Sequence, residues 1–120
     1  MKTLKVGIAS RDAFKKRTLL IAGGKYKPGK DEPKVWFESL ESLAQVLSDQ
    51  NRALLKLIHE KHPQSLGELA AQSGRAKSSL SRTLKNMAKY GLVHFEEGPK
   101  RQRAPRVNYS GVELEMDFQE

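Results

Sequence analysis

Two segments of the chain alternate apolar and polar residues with a period of two, the pattern of half-buried β-strands. The first covers Leu4, Val6 and Ile8 near the N-terminus. The second, residues 112–118, places apolar residues at even positions and Glu or Asp at odd positions. We therefore predict a strand near each end of the chain, the second with one acidic face.

Between these segments the apolar residues follow helical spacing. Ser10 is placed to cap a helix that extends through Ile21 and ends at Gly23-Gly24. Two further short helices are predicted on either side of Ser48-Asp49, where either residue can cap the second one. Pro63 ends that second helix, because the residue before a proline is disfavoured in helical conformation.

Residues 23–34, GGKYKPGKDEPK, are rich in Gly, Pro and Lys and are interpreted as a flexible linker. Trp36-Phe37 form an apolar anchor after it. The predicted organisation is therefore an N-terminal extension with a linker over residues 1–37, which makes partner or dimer contacts, and one domain over residues 38–120.

The order of elements from Ser65 onward is the most informative feature of that domain. Ser65 and Glu68 have capping-box spacing at the start of a helix, and Gly74 stands where a helix can end in left-handed conformation. A second helix is predicted from about Ala76 to Tyr90. Thereafter we predict, in order, a strand over residues 92–96, a loop over residues 98–105 and a returning strand over residues 106–109.

The second of these helices has one apolar and one basic face. At about 100° per residue, Leu80, Leu84 and Met87 gather on one side. No acidic residue occurs from residue 75 to residue 89, whereas ordinary surface helices mix both signs of charge. This favours DNA recognition by the opposite side and its N-terminal end, which carry Arg75, Lys77, Ser78, Ser81, Arg82, Lys85 and Lys89. Arg82 is the candidate for base readout, since a guanidinium can bind guanine in a bidentate manner.

The predicted loop has the sequence GPKRQRAPR and concentrates four basic side chains, Lys100, Arg101, Arg103 and Arg106. Such a density of positive charge repels itself unless a polyanion lies beside it. Arginines on a projecting loop suit the minor groove of DNA, where negative potential is focused. We therefore predict a DNA-contacting wing.

The net charge of +8 and the sequence pI near 9.8 agree with a polyanionic partner. The charge is unevenly distributed: residues 1–30 carry nine basic and one acidic side chain, and residues 75–106 carry nine basic and two acidic ones. Residues 31–74 are mildly acidic, with four basic and seven acidic side chains. The first basic block is equally consistent with a solvated surface, whereas the second coincides with the predicted recognition helix and loop.

The capped helix, the Gly-Arg turn, the stretch SSLSRTLKNMAKYGLV and the basic loop together resemble the MarR-type winged-helix regulators. More closely, they resemble small DNA-binding proteins of that superfamily, several of them encoded beside small toxins and treated as antitoxins. The resemblance covers about two thirds of the chain, from Trp36 to Val107. It implies dimeric binding to double-stranded DNA, transcriptional repression and autoregulation.

The resemblance also implies roles for individual residues. Recognition falls on Arg75, Lys77, Ser78, Ser79, Ser81, Arg82 and Lys85, and the wing role falls on Lys100, Arg101 and Arg103. The expected fold class is mainly α with a small β-hairpin wing: a winged helix-turn-helix with an N-terminal strand–helix extension and a C-terminal strand. The chain departs from typical MarR proteins by its short C-terminus, which lacks their long dimerisation helix.

The N-terminal segment admits two further interpretations. In the first, it orders on binding a partner protein such as a toxin, with possible contacts at Phe14, Arg17, Leu20, Tyr26, Trp36 and Phe37. In the second, its strand pairs with the acidic C-terminal strand, within one chain or across a dimer, and Lys5 faces one of the acidic side chains there.

The sequence indicates no catalytic chemistry. The stretch GKYKPGK at residues 24–30 has phosphate-loop spacing, but Asp31 follows where a Ser or Thr is needed. His59 and His62 share a helical face, yet only His94 remains as a third zinc ligand, and there is no cysteine. No long apolar segment suggests a signal or a membrane span. We expect a cytoplasmic protein that is not an enzyme and needs no cofactor or metal.

Overall fold

The computed structural model of the protein describes residues 2–118. Within them it contains five α-helices, which make up about half of the chain, and five short strands in two sheets, so the fold combines α and β structure. In chain order the elements are β1 (Thr3–Ile8), α1 (Arg11–Ala22), β2 (Val35–Phe37), α2 (Leu40–Val46), α3 (Asp49–Lys61), α4 (Leu66–Ser73), α5 (Lys77–Lys89), β3 (Val93–Glu97), β4 (Arg103–Val107) and β5 (Gly111–Met116).

The chain divides into two compact units. The helical unit comprises residues 45–110, and the sheet unit combines residues 2–44 with residues 111–118. The sequence placed a boundary at residue 37 and grouped the C-terminal strand with the helical part. The difference arises because β5 pairs along its whole length with β1.

The sheet unit is built on a parallel sheet with the strand order β2-β1-β5. The central strand β1 buries Leu4 and Val6, which are 3% and 1% exposed. Leu4 pairs with Val112, and the ammonium group of Lys5 lies 3.8 Å from a carboxylate oxygen of Glu115. The pairing of the two terminal strands, one of the alternatives left open by the sequence, therefore occurs within one chain.

Strand β2 was not predicted: the sequence indicated only an apolar anchor at Trp36-Phe37, of which Phe37 is buried. Val35 pairs with Val6, and Phe37 pairs with Ile8, so these residues form an edge of the sheet. Three residues are too few to show a period of two. Helix α1 provides the crossover connection that two parallel strands require.

The N-cap of α1, the end of that helix and the irregular segment after it lie where the sequence predicted them. The hydroxyl oxygen of Ser10 accepts a hydrogen bond from the backbone N–H of Ala13, at 3.1 Å, and α1 ends at Ala22. Gly24 has a φ of 72°, in the left-handed region that favours glycine. Residues 23–34 contain no helix or strand, as predicted.

The helical unit packs α3, α4 and α5 with the antiparallel hairpin of β3 and β4. The hydroxyl oxygen of Ser48 caps α3 by accepting from the backbone N–H of Asn51, and α3 ends before Pro63 as predicted. The largest side chains of this core are less than 2% exposed. They are Ile58, Pro63, Leu69, Leu80, Leu84, Met87 and Pro105.

The returning strand begins earlier than the sequence indicated. We predicted a loop over residues 98–105, whereas β4 starts at Arg103 and pairs Ala104 with Glu96 and Pro105 with Phe95. Ala104 is only 1% exposed. Burial of this Ala-Pro pair therefore outweighs the tendency of proline to form loops. A strand at the edge of a hairpin tolerates a proline. None of the described helices combines the length and apolar character of a membrane-spanning segment.

Gly7 on β1 makes room for the ring of Trp36. A Cβ atom added at Gly7 would lie 2.6 Å from Cζ3 of Trp36 and 3.0 Å from Cγ of Pro33. Distances this short require the ring to move. We therefore infer that glycine at position 7 is needed for close packing of the sheet.

We predict that Gly7→Ala lowers the free energy of unfolding by about 1–3 kcal/mol, the usual cost of overpacking a buried position. Urea unfolding followed by the fluorescence of Trp36, the sole tryptophan of the chain, measures both stability and ring environment. The matched control is Gly111→Ala in β5, because a Cβ there meets only Thr3 Cγ2 at 3.9 Å. Equal stability of the two variants would contradict the packing argument.

Candidate nucleic-acid interface

Helix α4 and the turn after it set the start of α5. The hydroxyl oxygen of Ser65 accepts a hydrogen bond from the backbone N–H of Glu68, and Leu69 anchors the helix with no exposed surface. Gly74 ends the helix with a φ of 74°, and its N–H donates to the carbonyl oxygen of Ala70 at 2.9 Å. This left-handed residue fixes the sharp turn that redirects the chain into α5.

Helix α5 separates apolar from basic residues as the sequence predicted. Leu80, Leu84 and Met87 are at most 1% exposed. Ser78 and Arg82 lie four positions apart and are both exposed, so their side chains share the outer side of the helix. The exposed residues of the predicted recognition set are Lys77, Ser78, Ser79, Arg82, Lys85 and Lys89, and Ser81 is half-buried on the flank.

The cations of α5 lack carboxylate partners. Lys77, Arg82, Lys85 and Lys89 take part in no ion pair with any described residue, and the helix itself has no acidic residue. The N-cap residue of α5, Ala76, makes no side-chain capping bond, unlike Ser65 at the N-cap of α4. The outer side of α5 therefore presents an uncompensated positive stripe, which we call the α5 stripe (Lys77, Arg82, Lys85 and Lys89).

Arg75 is used inside the helical unit rather than on the stripe. It is half-buried, and its guanidinium donates to the side-chain oxygen of Asn51 at 3.3 Å and to the hydroxyl of Thr83 at 3.5 Å. Asn51 in turn donates to the carbonyl oxygen of Val46 at 3.1 Å. Arg75 thus ties the start of α3 to α5, and we infer a positioning role for this predicted recognition residue.

The hairpin tip carries two of the four predicted wing residues. Lys100 and Arg101 are exposed and have positive φ angles of 57° and 62°, which make the turn between β3 and β4. Arg103 is exposed at the start of β4, with its guanidinium 4.5 Å from the centre of the Phe95 ring. These three cations have no ion-pair partner within residues 2–118, and we call them the hairpin cations.

Arg106 does not belong to that group. It lies in β4 opposite His94, and its guanidinium donates to the backbone carbonyl oxygen of Pro63 at 2.7 Å. Its side chain is only 17% exposed and is 3.8 Å from a carboxylate oxygen of Glu96. The sequence analysis counted Arg106 among the wing cations at the end of the loop, whereas β4 begins three residues earlier, at Arg103, and includes Arg106.

Gly98 lies close to the loop between α3 and α4. A Cβ atom at this position would overlap the backbone carbonyl oxygen of Gln64. The N–H of Gly98 donates to the carbonyl oxygen of Gln102, which closes the tip. Arg106 therefore bonds the hairpin to the loop between α3 and α4, and Gly98 lets the hairpin approach that loop closely.

A polar cluster lies on the exposed side of the hairpin. The His94 ring interacts through Nε2 with a carboxylate oxygen of Glu96 at 3.0 Å, and through Nδ1 with the side-chain oxygen of Asn108. The hydrogen bonds with Glu96 and then Asn108 raise the pKa of His94 above its usual 6.5. The hydrogen bond from His94 lowers the pKa of Glu96 below its usual 4.5. The pair therefore favours protonated His94 beside ionised Glu96.

The residues proposed for partner contacts lie in the sheet unit and are not equally accessible. Phe14, Leu20 and Tyr26 are 41%, 45% and 37% exposed. Arg17 is half-buried: its guanidinium is 2.7 Å from Glu32 and lies over the rings of Trp36, at 5.0 Å, and Tyr26, at 5.8 Å. Phe37 is 3% exposed and belongs to the core, so its assignment as a contact residue was wrong. Its pairing in β2 explains the burial.

The described residues contain no group of three or more His, Cys, Asp or Glu side chains arranged to hold a metal ion. The rings of His59 and His62 are 6.3 Å apart at the end of α3. His62 itself caps that helix with a left-handed backbone.

A family model, HVO_A0114, matches residues 46–114. This span is more than half of the 120 residues, and the chain belongs to that family. The matched span begins one residue after the start of the helical unit and ends four residues after its end. It therefore covers the α5 stripe and the hairpin cations together. No curated protein and no solved structure matches the chain.

We predict that Gly98→Ala destabilises the helical unit by about 1–3 kcal/mol, because two backbone segments must separate to admit a methyl group. Urea unfolding followed by circular dichroism provides the measurement. Gly67→Ala in α4 is the matched control, since a Cβ there meets only the hydroxyl of Ser65 at 3.8 Å. The control should gain about 0.5–1 kcal/mol from helix propensity. An undiminished stability of the Gly98→Ala protein would contradict the close approach of Gly98 to Gln64.

The His94–Glu96 pair predicts a specific dependence of stability on pH. The contribution of His94 is complete below its unfolded pKa of 6.5 and is lost as the pH rises through its raised folded pKa. The contribution of Glu96 is present above its unfolded pKa of 4.5 and is lost as the pH falls through its lowered folded pKa. The pair therefore stabilises most between these unfolded values.

Unfolding of wild type and His94→Gln, followed between mildly acidic and mildly alkaline pH, measures this contribution. We expect the stability difference between the two proteins to shrink as the pH rises above the pKa of His94. A difference that stays constant across the range would contradict the assignment. Glu96→Gln is the complementary control and should weaken the same pH dependence, while the hydrogen bond with Asn108 still raises the pKa of His94.

Proposed function

We propose that this member of the HVO_A0114 family binds double-stranded DNA in a sequence-specific manner through the α5 stripe and the hairpin cations, and acts as a transcriptional repressor. The observation that carries the proposal is the set of seven exposed cations on these two elements without a carboxylate partner among the described residues. A duplex supplies the missing negative charge, and release of its counterions favours binding.

The order of the elements supports a winged helix-turn-helix as the fold of the helical unit. In such a fold α4 and α5 are the two helices of the motif, α5 enters the major groove, and the β3–β4 hairpin is the wing. Helix α5 has 13 residues and is therefore about 20 Å long, which suits a groove about 12 Å wide. The likeness to MarR-type regulators remains part of this proposal.

The chemistry of the exposed side chains divides the work between base and phosphate contacts. Arg82 lies in the middle of α5 and has a planar guanidinium that can bind O6 and N7 of one guanine. Lys85 and Lys89 are point charges that suit phosphates and carry little sequence information. The hydroxyl groups of Ser78 and Ser79 lie in the first turn of α5, close enough to the helix end to bind phosphate or base edges.

The hairpin contributes a second contact to the same duplex in this proposal. Lys100 and Arg101 lie at a tip that the Gly98–Gln102 hydrogen bond closes, in a hairpin that Arg106 bonds to Pro63. A fixed tip binds with less loss of conformational entropy than a mobile loop. Arginine side chains are favoured in a narrow minor groove, which assigns Arg101 and Arg103 to that groove.

A homodimer is part of the proposal, because two recognition helices read a palindromic operator with half-sites about 34 Å apart. A chain of 120 residues in two small units also buries a modest core, which association can extend. Regulation of its own promoter, as in the antitoxin of a toxin–antitoxin pair, is the biological role that we propose.

We predict that Arg82→Ala reduces discrimination against a mismatched operator by about 1–3 kcal/mol, the usual worth of a bidentate contact with guanine. The binding site is first selected from a pool of randomised duplexes, with the chain's own promoter region as a second source. Fluorescence anisotropy then measures affinity for the selected site and for single-base variants of it.

Two matched variants complete this experiment. Lys85→Ala should weaken binding to all sequences alike and reduce the salt dependence of log K by about 0.9. Lys56→Ala removes an exposed lysine of α3 that is paired with Glu60 at 4.0 Å, and should leave both quantities unchanged. Unaltered discrimination in Arg82→Ala would disprove base readout by Arg82.

A second candidate function is neutralisation of a partner protein by direct contact. The exposed apolar side chains of Phe14, Leu20 and Tyr26 in the sheet unit favour it. Removal of the N-terminal segment is a poor test, because it also takes away β1, the pairing partner of β5. The better test mixes Phe14→Ser with the purified product of the adjacent gene: lost complex formation with retained DNA binding would support this function.

A further inference from the structure

The basic side chains of the sheet unit fall into two groups. The first group is ion-paired within the unit: Lys5 with Glu115 at 3.8 Å, Arg11 with Glu38 at 3.2 Å, and Arg17 with Glu32 at 2.7 Å. The second group consists of seven exposed lysines that form no ion pair within residues 2–118, namely Lys2 and six lysines in α1 and the segment between α1 and β2. These six, which we call the lysine surface, are Lys15, Lys16, Lys25, Lys27, Lys30 and Lys34.

The segment that carries the lysine surface has an excess of positive charge. Residues 11–34 carry eight basic and three acidic side chains, and one of those acids, Glu32, is occupied by Arg17. Crowded like charges oppose the folded state unless counterions or a polyanion lie beside them. Arg17 is thus half-buried and paired within the unit, and Arg11 is paired at the surface, whereas the six lysines face solvent without an ion pair.

Two of these lysines lie on the outer side of α1. Ala13, Arg17 and Ile21 recur every four residues and are half-buried, so they mark the side that packs against the unit. Lys15 and Lys16 lie away from that side, and both are exposed. The helix therefore presents its lysines outward.

The loop after α1 brings further lysines to the same helix. Lys30 and Lys34 line an open groove of about 550 Å³ together with Phe14 of α1 and the ring of Trp36. The groove is held in shape by Arg17, through its ion pair with Glu32 and its position over the Trp36 ring. The segment that the sequence suggested was a flexible linker is thus fixed at Glu32 and at Lys34, whose N–H donates to the carbonyl oxygen of Lys5 at 3.0 Å.

The residue type selects the kind of ligand. Lysine is a compact point charge that binds phosphate without demanding a particular geometry, whereas arginine is preferred for bidentate recognition. A duplex carries one negative charge per about 1.7 Å of its axis, so lysines spread over a helix and a loop meet phosphates wherever they touch it. An acidic protein offers carboxylates only at fixed positions.

We propose that the lysine surface is a second DNA-binding site, which contacts phosphates without reading sequence. This inference rests on the proposed function of the helical unit and adds to it a contact with the same nucleic acid. The α5 stripe provides sequence preference, and the lysine surface provides affinity that is independent of sequence. Its effect is greatest at low ionic strength.

The test measures binding of the full chain to a mixed-sequence duplex by fluorescence anisotropy over roughly 50 to 300 mM salt. Two double variants, Lys15→Gln with Lys16→Gln and Lys27→Gln with Lys30→Gln, each remove two charges from the lysine surface. Each should reduce the slope of log K against log salt by about 1.8, that is about 0.9 for each lost phosphate contact. Circular dichroism of every variant checks that it is folded.

The control removes two charges elsewhere: Lys56→Gln with Lys61→Gln on α3 should leave the slope unchanged. An unchanged slope in both lysine-surface variants would overturn the inference and leave the proposed function standing. The same result combined with weaker binding to polyglutamate would also overturn it, in favour of an acidic protein surface. Unchanged binding by Arg82→Ala with Lys85→Gln would instead refute the proposed function, and a wild-type chain that binds no duplex would refute both.

Discussion

The burial of Leu80, Leu84 and Met87 determines which way α5 faces. These three side chains are at most 1% exposed and lie in the core of the helical unit, so rotation of α5 about its axis would expose them to water. Burying one large aliphatic side chain is worth about 1.5–3 kcal/mol, whereas an exposed charge contributes little to stability. The apolar side therefore fixes the helix, and the position of Arg82 and Lys85 on the outer side follows from it.

A second constraint fixes the hairpin relative to the same core. Arg106 of β4 binds the carbonyl oxygen of Pro63, and Gly98 allows close approach to Gln64 of the same loop. Arg75 has a comparable role at the other end of the unit, where it joins α3 to α5. Three arginines of residues 75–106 thus have different roles. Arg75 and Arg106 form hydrogen bonds within the helical unit, and Arg82 is an exposed cation without an ion-pair partner among the described residues. Net charge alone does not distinguish these uses.

Local signals in the sequence were sufficient to predict the helices of the helical unit. They did not predict the features that depend on contacts between residues distant in sequence. The period of α5, the serine caps and the left-handed Gly74 depend on residues a few positions apart, and all are readable from the chain. The strand β2 and the start of β4 depend on partners distant in sequence, and a three-residue strand or an Ala-Pro pair shows no period of its own. The same holds for Arg106 and Phe37, because a long or apolar side chain can face either solvent or the core. The pairing of β1 with β5 was one of the alternatives that the sequence left open for the N-terminal segment.

Chemical-shift mapping by NMR tests the central claim most directly. Amide signals of the full chain are followed while a duplex carrying the selected site is added. We expect the largest shifts along α5, around Ser78, Arg82 and Lys85, and at the hairpin tip around Lys100 and Arg101. If the amide signals of α5 keep their chemical shifts while the duplex is bound, this result would contradict the assignment of α5 as the element that contacts DNA.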